Sequence, residues 1–225
     1  MRTASILALL ALLLLAFPAR AEVIERLPTT GKVVALTFDA CEAKGAPAHF
    51  DRAILDYLEA EKLPFTVFAT GLFAQHNRDD LARLAKLPEA EIENHSFDHP
   101  QHTERLDLDR ALAEVKGGDD AIEAATGRRP VFFRFPAGNY DAATLAAVEG
   151  SGHRVVHWRW PSGDPAKGLT PEHLRDWVVA KTRPGDILIF HVNGRAPATH
   201  AALPQVVAEL RRRGYSFVRL DEVLK

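Results

Sequence analysis

Several apolar, strand-like segments of this 225-residue chain are followed by a residue that can exchange a proton or hold a charge. These residues are Asp39, His95, Arg134, Asp164 and His191. Because the carboxyl ends of parallel strands face one rim of an α/β barrel, charged residues after five strands predict a single polar site. A carboxylate at the end of a buried strand costs free energy unless it is paired, which also favours a functional site.

The segment His95-Ser-Phe-Asp-His99 places two imidazoles four residues apart. On a helical turn this spacing brings both rings to one side, an arrangement suited to a metal ion. The pair follows a strand-like run at 91–94 and opens onto a polar loop. That position favours a metal site over a pair of solvent-exposed histidines without a function. Asp39, on a neighbouring element, is a candidate general base or metal ligand.

Arg134 and His191 are candidates for the remaining steps of acid–base chemistry. A guanidinium can keep the Asp39 carboxylate ionised and oriented through paired hydrogen bonds. An imidazole titrates near neutral pH, and His191 is therefore a candidate general acid. The structural alternatives are a salt bridge for Arg134 and a buried core residue for His191. Their predicted position on the rim that carries Asp39 favours catalysis.

The elements that position these residues alternate along the chain. Strand-like runs occupy 32–38, 64–70, 91–95, 131–135, 154–160, 186–192 and 215–220. Helical spacing occupies 47–61, 78–87, 104–125, 141–150, 171–182 and 199–213. This alternation predicts a parallel α/β fold, either a barrel one unit short of the eightfold form or a doubly wound sheet.

The first 21 residues have the layout of a secretory signal peptide. A positive residue, Arg2, precedes an apolar run over 5–17 and a small-x-small cleavage site at 19–21. An uncleaved N-terminal anchor is the alternative. Cleavage after Ala21 would leave one domain, 22–225. The pattern therefore predicts a periplasmic or secreted protein without a stable membrane anchor.

The charge of this domain argues against nucleic-acid binding. Removal of Arg2 and Arg20 leaves 26 basic and 30 acidic side chains, a formal charge of −4. Nucleic-acid binders usually carry a basic face. The only cysteine, Cys41, cannot form an intramolecular disulfide.

Taken in order, these residues resemble the motifs of the polysaccharide deacetylases, the NodB-homology or carbohydrate esterase 4 family. The similarity extends over 31–222 and includes Thr37-Phe-Asp39-Ala40, His95 to His99, Arg134-Phe-Pro136-Ala-Gly138 and Ile189-Phe-His191, with a looser match at Trp160-Pro-Ser-Gly-Asp164. The resemblance implies a distorted (β/α)7 barrel. It also implies removal of acetyl groups from N-acetylated sugars of chitin, peptidoglycan or a related polysaccharide, or from O-acetyl xylan.

The resemblance assigns roles to these positions. It implies a divalent metal, usually zinc, on His95 and His99, which would polarise the acetyl carbonyl and a water molecule. Asp39 would accept the proton of that water while Arg134 orients Asp39. His191 would protonate the departing amine, its pKa raised by a carboxylate such as Asp164.

Substrate and oxyanion contacts are implied for a second group of residues. The backbone N–H of Ala137 would donate to the oxyanion. The group comprises Pro136, Ala137, Gly138, Trp160 and Ile189. Of the other tryptophans, Trp158 is expected to pack in the core.

One position departs from the family pattern. Ala40 stands where most members have a second Asp that completes the metal site, and a methyl group cannot ligate. Glu42, Cys41, Asp39 or water remain as the third ligand. Glu42 has the reach and the charge and ranks equal with water, whereas Cys41 is expected to be buried beside the barrel mouth.

The loss of that Asp leaves two other functions open. The first is a catalytically silent carbohydrate-binding protein that keeps the barrel and its groove. The second is a metal or redox sensor built on Cys41. Retention of the base, its arginine and the candidate acid favours the enzyme.

Overall fold

Seven parallel strands form a curled sheet in the computed structural model, which describes residues 22–224. The strands are β1 (Val33–Ala40), β2 (Phe65–Ala69), β3 (Ala90–Asn94), β4 (Phe132–Phe133), β5 (Arg154–Val155), β6 (Ile187–His191) and β7 (Ser216–Val218). The helices are α1 (Arg52–Ala60), α2 (Gly71–His76), α3 (Arg78–Leu84), α4 (Leu108–Thr126), α5 (Ala142–Gly150), α6 (Pro171–Lys181), α7 (Thr199–Arg212) and α8 (Leu220–Val223).

The order of the strands is that of a distorted barrel. It runs β5-β4-β3-β2-β1-β6, and β7 pairs with the start of β1. A doubly wound sheet would reverse direction at a switch point, whereas β1 to β5 follow one another here in sequence order. The extended segment after residue 22 forms bridges from Ile24 to Val156 and from Arg26 to Asp186, and so links the β5 side to the start of β6. The prediction of a seven-stranded (β/α)7-type fold is confirmed.

Strand β1 is the centre of the core. Except for Thr37 and Asp39 its residues are apolar, as expected for a parallel strand covered by helices, and all but the first are buried. Phe38 packs its ring against Phe65 and Phe190 of the two neighbouring strands, with ring centroids 6.3 Å and 5.8 Å away. The buried position of β1 fixes its register and therefore the direction in which Asp39 points.

The helices cover the sheet and end at defined caps. The Asp51 side chain accepts hydrogen bonds from the N–H groups of Ala53 and Ile54 and so begins α1. The long helix α4 starts at the Asp107 cap and ends at Gly127, whose φ of 73° suits glycine. Helices α2 and α8 are additional to the six predicted helical segments.

The predicted signal peptide, residues 1–21, lies outside the described residues. It stays a prediction, as does the domain boundary that depends on it. Over residues 22–224 no helix is both long enough and apolar enough to cross a membrane.

Candidate active site

Four strands deliver polar side chains to one rim of the barrel. Asp39 and His191 are register partners on β1 and β6. The His95 N–H donates to the carbonyl at the end of β2, and the Arg134 N–H donates to the carbonyl of Asn94 at the end of β3. The structure therefore brings together the Asp, the Arg and two of the histidines that the sequence places at strand ends.

Asp39 is a buried carboxylate held between two cationic or polar partners. It is only 3% exposed, and its Oδ1 accepts a hydrogen bond of 2.7 Å from Arg134 Nη1. Burial alone would raise the pKa of Asp39, but the charges of Arg134, His95 and His191 outweigh it and lower the pKa. The carboxylate is therefore ionised and has a fixed orientation.

Arg134 is itself immobilised. Its side chain is fully buried, its Nε donates to the carbonyl of Val156 at 3.2 Å, and its guanidinium lies 4.0 Å from the ring centroid of Phe68. Burial lowers the pKa of Arg134, while the Asp39 carboxylate opposes that shift. A guanidinium stays protonated under such conditions, so it supplies a permanent charge beneath Asp39.

His95 presents a free nitrogen to the site. Its Nδ1 lies 2.8 Å from the carbonyl oxygen of Arg134, which can only accept, so Nδ1 carries the proton and donates. The opposite nitrogen, Nε2, is buried, has no hydrogen-bond partner among the described residues, and lies 3.5 Å from Asp39 Oδ2. Two acceptors so close need a proton or a cation between them. The orphaned nitrogen therefore fits a metal ion.

His99 faces His95 across this position. The two ring centroids are 5.0 Å apart, and the Nδ1 of His99 lies 2.9 Å from the side-chain amide of Gln101. The predicted pairing of the two imidazoles is thus present. The Gln101 side chain is an additional contact that orients the His99 ring.

Cys41 also lies in the site. Its sulfur and one nitrogen from each of His95 and His99 are within 4.8 Å of one another. A second set of atoms within the same limit joins Cys41 to Asp39 and His191. Burial would raise the pKa of the Cys41 thiol, but the surrounding imidazoles lower it well below its usual range.

The structure is against the expectation that Glu42 completes a metal site. Its Oε1 lies 2.5 Å from Nδ1 of His76, and its Oε2 accepts a hydrogen bond from the N–H of Ala48. Both carboxylate oxygens therefore point away from His95. The physical reason is strand alternation, because residues two apart share a face and Glu42 lies on the opposite face to Asp39.

His191 and Asp164 form a second hydrogen-bonded pair at the cavity. Asp164 is 1% exposed, and its carboxylate lies 2.9 Å from His191 Nδ1 and accepts from the His191 N–H at 2.7 Å. Ser162 and Thr199 donate their hydroxyl protons to the same carboxylate. Burial alone would lower the pKa of His191, but Asp164 and Cys41 raise it well above its ordinary value.

A cavity of about 340 Å³ opens in front of these groups. Asp39, His191 and Asp164 line it together with Ala137 and Ile189, two of the predicted substrate contacts. Pockets of this volume suit small-molecule groups.

The turn at Pro136–Gly138 forms part of the cavity wall. Pro136 is buried, and Ala137 lines the cavity. Gly138 does not line the cavity; a Cβ there would lie 3.3 Å from the ring of Trp158. Gly138 therefore allows that ring to pack against the turn.

The two neighbouring tryptophans have exchanged their expected positions. Trp160 does not line the cavity, because its indole N–H donates to Asp186 at 3.0 Å and its ring packs against the core. Trp158, expected in the core, lines the cavity and stacks on His157 with ring centroids 5.2 Å apart. A contact of Trp160 with substrate stays a prediction, which this geometry does not favour. The strand β5 ends at Val155, so strand alternation does not fix the direction of either tryptophan.

Backbone strain is concentrated at this site. Among the described residues, Ser96, His99 and Ala137 are three of the four non-glycine residues with positive φ. Such conformations cost roughly 1–3 kcal/mol each and persist only where the surroundings impose them. The strain supports a functional role for the loop at 96–99 and the turn at 136–138.

Sequence reasoning undervalued Cys41, Gln101, Trp158 and the hydroxyls around Asp164. The alternation of side chains along β1 could have identified Cys41, because it follows Asp39 by two residues. The others lie on loops, whose course has no comparable signal in the sequence.

Comparisons with known proteins show the family of the chain and agree with its fold. A sequence model described as polysaccharide deacetylase matches residues 26–156. The chain is 29% identical over 201 residues to a peptidoglycan-N-acetylglucosamine deacetylase of Bacillus cereus, covering 88% of this chain and 91% of that protein. It is 30% identical over 209 residues to a chitooligosaccharide deacetylase of Sinorhizobium fredii, covering 85% and 92% respectively. Its fold is similar to that of a CE4 family pseudoenzyme from Bacillus anthracis, with a TM-score of 0.80 at 23% identity over 91% of this chain and 69% of that one.

Proposed function

The chain belongs to the polysaccharide deacetylase family, the carbohydrate esterase 4 hydrolases, and on that basis we propose that it removes acetyl groups from N-acetylated sugars of peptidoglycan or a chitin-like glycan. The observation that carries this proposal is the arrangement of Asp39 and His191, a candidate base and a candidate acid. They face one cavity from adjacent strands.

The proposed reaction is hydrolysis of the acetamide. A water oxygen forms a bond to the acetyl carbon, and the bond from that carbon to the sugar nitrogen breaks. Asp39 accepts a proton from the water, and His191 donates one to the departing nitrogen. The products are acetate and a free amino group on the sugar.

Asp39 serves as the base because its carboxylate is ionised and immobile. The 2.7 Å hydrogen bond from Arg134 fixes Oδ1, which leaves Oδ2 directed at the position between His95 and the cavity. Arg134 is thus a positioning residue that acts through Asp39.

His191 serves as the acid because its Nδ1 is engaged with Asp164. A raised pKa keeps the imidazole protonated at neutral pH, so the ring has a proton to give to the amine. The backbone N–H of Ala137, at the cavity wall, is the candidate donor to the developing oxyanion.

We propose that His95 and His99 hold a divalent cation, with zinc as the expected metal. When bound, the metal supplies Lewis-acid polarisation of the acetyl carbonyl. The support from the structure is the buried, unpartnered Nε2 of His95 opposite Asp39.

Trp158 is the candidate surface for the sugar ring. Its ring lines the cavity, and aromatic faces pack well against the C–H face of a sugar. Peptidoglycan lies outside the cytoplasmic membrane. We therefore propose a periplasmic or secreted location after removal of residues 1–21, which N-terminal sequencing of the mature protein tests.

The proposal is tested by acetate release from N-acetylglucosamine oligomers and from peptidoglycan. We expect release by the purified protein, loss of release on chelation, and recovery on addition of zinc or cobalt. His95→Ala should abolish the activity, whereas His102→Ala should not, because the His102 side chain is 52% exposed and contacts Glu104. Unchanged turnover by the His95 variant would contradict the proposed metal site.

One observation favours a second candidate, a carbohydrate-binding protein without catalysis. Ala40 replaces a residue that most of the family uses to hold the metal. Binding of N-acetylglucosamine oligomers without any acetate release, even with added zinc or cobalt, would support that alternative.

A further inference from the structure

Cys41 occupies a position from which it can replace the missing carboxylate. Residues 39 and 41 lie on the same face of the extended chain at the end of β1, whereas Ala40 is buried in the core. Cys41 is 4% exposed and is one of the residues that line the cavity. The side chain therefore reaches the site without any rearrangement of the strand.

Hydrogen bonds on both sides fix Cys41. Its carbonyl accepts a 2.6 Å hydrogen bond from the side-chain amide of Asn193, and the next N–H, that of Glu42, donates to the hydroxyl of Thr70 at 2.9 Å. All four residues are buried. The backbone at Cys41 is thus held in place by the fold.

A second and independent feature points to a ligand at this position. The Nε2 of His95 is buried and lacks a hydrogen-bond partner among residues 22–224, and its tautomer is set by the carbonyl behind it. One nitrogen of His95, one nitrogen of His99 and the Cys41 sulfur are all within 4.8 Å of one another. Ligands of a tetrahedral zinc ion lie about 3.5 Å apart, so small side-chain movements would bring the three together.

We propose that Cys41, as a thiolate, is the third protein ligand of the divalent cation bound by His95 and His99. The inference rests on the metal site of the proposed function. A set of one sulfur and two nitrogens is softer than two nitrogens and a carboxylate, so the site should prefer zinc and cobalt over magnesium, calcium and manganese. A fourth position remains open for water or substrate.

A rival role for the same thiol is nucleophilic attack. Cys41 lies close to His191, and His191 is hydrogen-bonded to Asp164, as in a Cys-His-Asp triad. In that case the thiolate would attack the acetyl carbon, the bond to the sugar nitrogen would break as that nitrogen takes a proton from His191, and a thioester would remain on Cys41. The unpartnered nitrogen of His95 has no part in such a reaction, which favours the metal site.

Cobalt binding tests the proposal directly, because Cys41 is the only cysteine of the chain. We expect Co²⁺, added to metal-free protein, to give a near-ultraviolet charge-transfer band that only a thiolate ligand produces. Cys41→Ser should lose this band and weaken zinc binding by more than about 100-fold. That is the upper end of the loss in metal affinity when a residue that only hydrogen-bonds to a metal ligand is removed. Cys41→Asp should bind cobalt without the band.

Several outcomes would overturn the proposal. If the wild-type protein binds cobalt without the charge-transfer band, the proposal is wrong. This outcome needs no variant and so does not depend on whether a variant folds. Equal zinc affinity of the wild-type and Cys41→Ser proteins would also overturn the proposal.

The same experiment separates this inference from the proposed function. Acetate release without the charge-transfer band would contradict Cys41 as a ligand and leave deacetylation intact. The band without acetate release from any acetylated glycan would support Cys41 as a ligand and contradict the deacetylase.

Discussion

Asp39 on β1 and His191 on β6 are register partners in a parallel sheet, so both side chains reach the same depth of the barrel rim. A base and an acid on opposite sides of a scissile bond need such a fixed spacing. The buried β1 provides it, because a slip of one residue would turn Asp39 into the core and expose an apolar side chain. The fold thus determines the spacing of the proton-transfer groups.

Removal of the charge behind Asp39 should destabilise the protein. Arg134→Gln leaves a buried carboxylate without its cation, and we expect a loss of about 3–5 kcal/mol in the free energy of unfolding. Arg52→Gln is the matched control, because that arginine pairs with Asp80 at the surface with its side chain 58% exposed, and should cost no more than about 1 kcal/mol. Urea denaturation of the two variants measures both values, and equal losses would contradict the buried ion pair.

The pH profile should report on the pair of His191 and Asp164. The pKa of His191 is raised, so its imidazolium is lost as pH rises through that raised value, and activity should fall with it. Asp164→Asn removes the negative charge, lowers the pKa of His191 and should move this basic limb to lower pH. The exposed Asp176→Asn, 70% accessible at its side chain, should leave the limb in place. An unshifted profile for the Asp164 variant would exclude His191 as the acid.

Substitution of Trp158 should change KM, whereas substitution of Trp160 should change the free energy of unfolding. Trp158→Ala removes a wall of the cavity, and we expect a rise in KM of roughly two- to tenfold, the equivalent of about 0.5–1.5 kcal/mol. Trp160→Ala removes a hydrogen bond to Asp186 and contacts with the core, so it should lower the free energy of unfolding with little effect on KM. Steady-state kinetics and thermal unfolding of both variants distinguish these results, and the reverse pattern would contradict the geometry.

The sheet and its rim were predictable because they follow from periodicity. Apolar runs separated by helical spacing indicate parallel strands, and the residue that follows each run falls at the carboxyl edge. Asp39, His95 and Arg134 could therefore be assigned to one site from their positions alone, and the structure brings them within hydrogen-bond range or close to it.

The expectations for Glu42 and the two tryptophans, which the structure does not favour, depend on the direction of side chains beyond the strand ends. Glu42 has more reach than Cys41, but it lies on the opposite face and is engaged by His76. Trp158 and Trp160 follow a strand of only two residues, so neither periodicity nor composition fixes which ring faces the cavity. Contacts with distant parts of the chain determine the directions of these side chains.

The most direct test of deacetylation with Asp39 as the base is acetate release by Asp39→Asn. This substitution keeps the shape of the side chain and removes its capacity to accept a proton, while His95 and His99 stay in place. We expect zinc-loaded Asp39→Asn to retain the fold, by far-ultraviolet circular dichroism, and to release acetate from N-acetylglucosamine oligomers about 10²–10⁴-fold more slowly than the wild-type protein. Release at the wild-type rate by the folded, metal-loaded variant would contradict the mechanism.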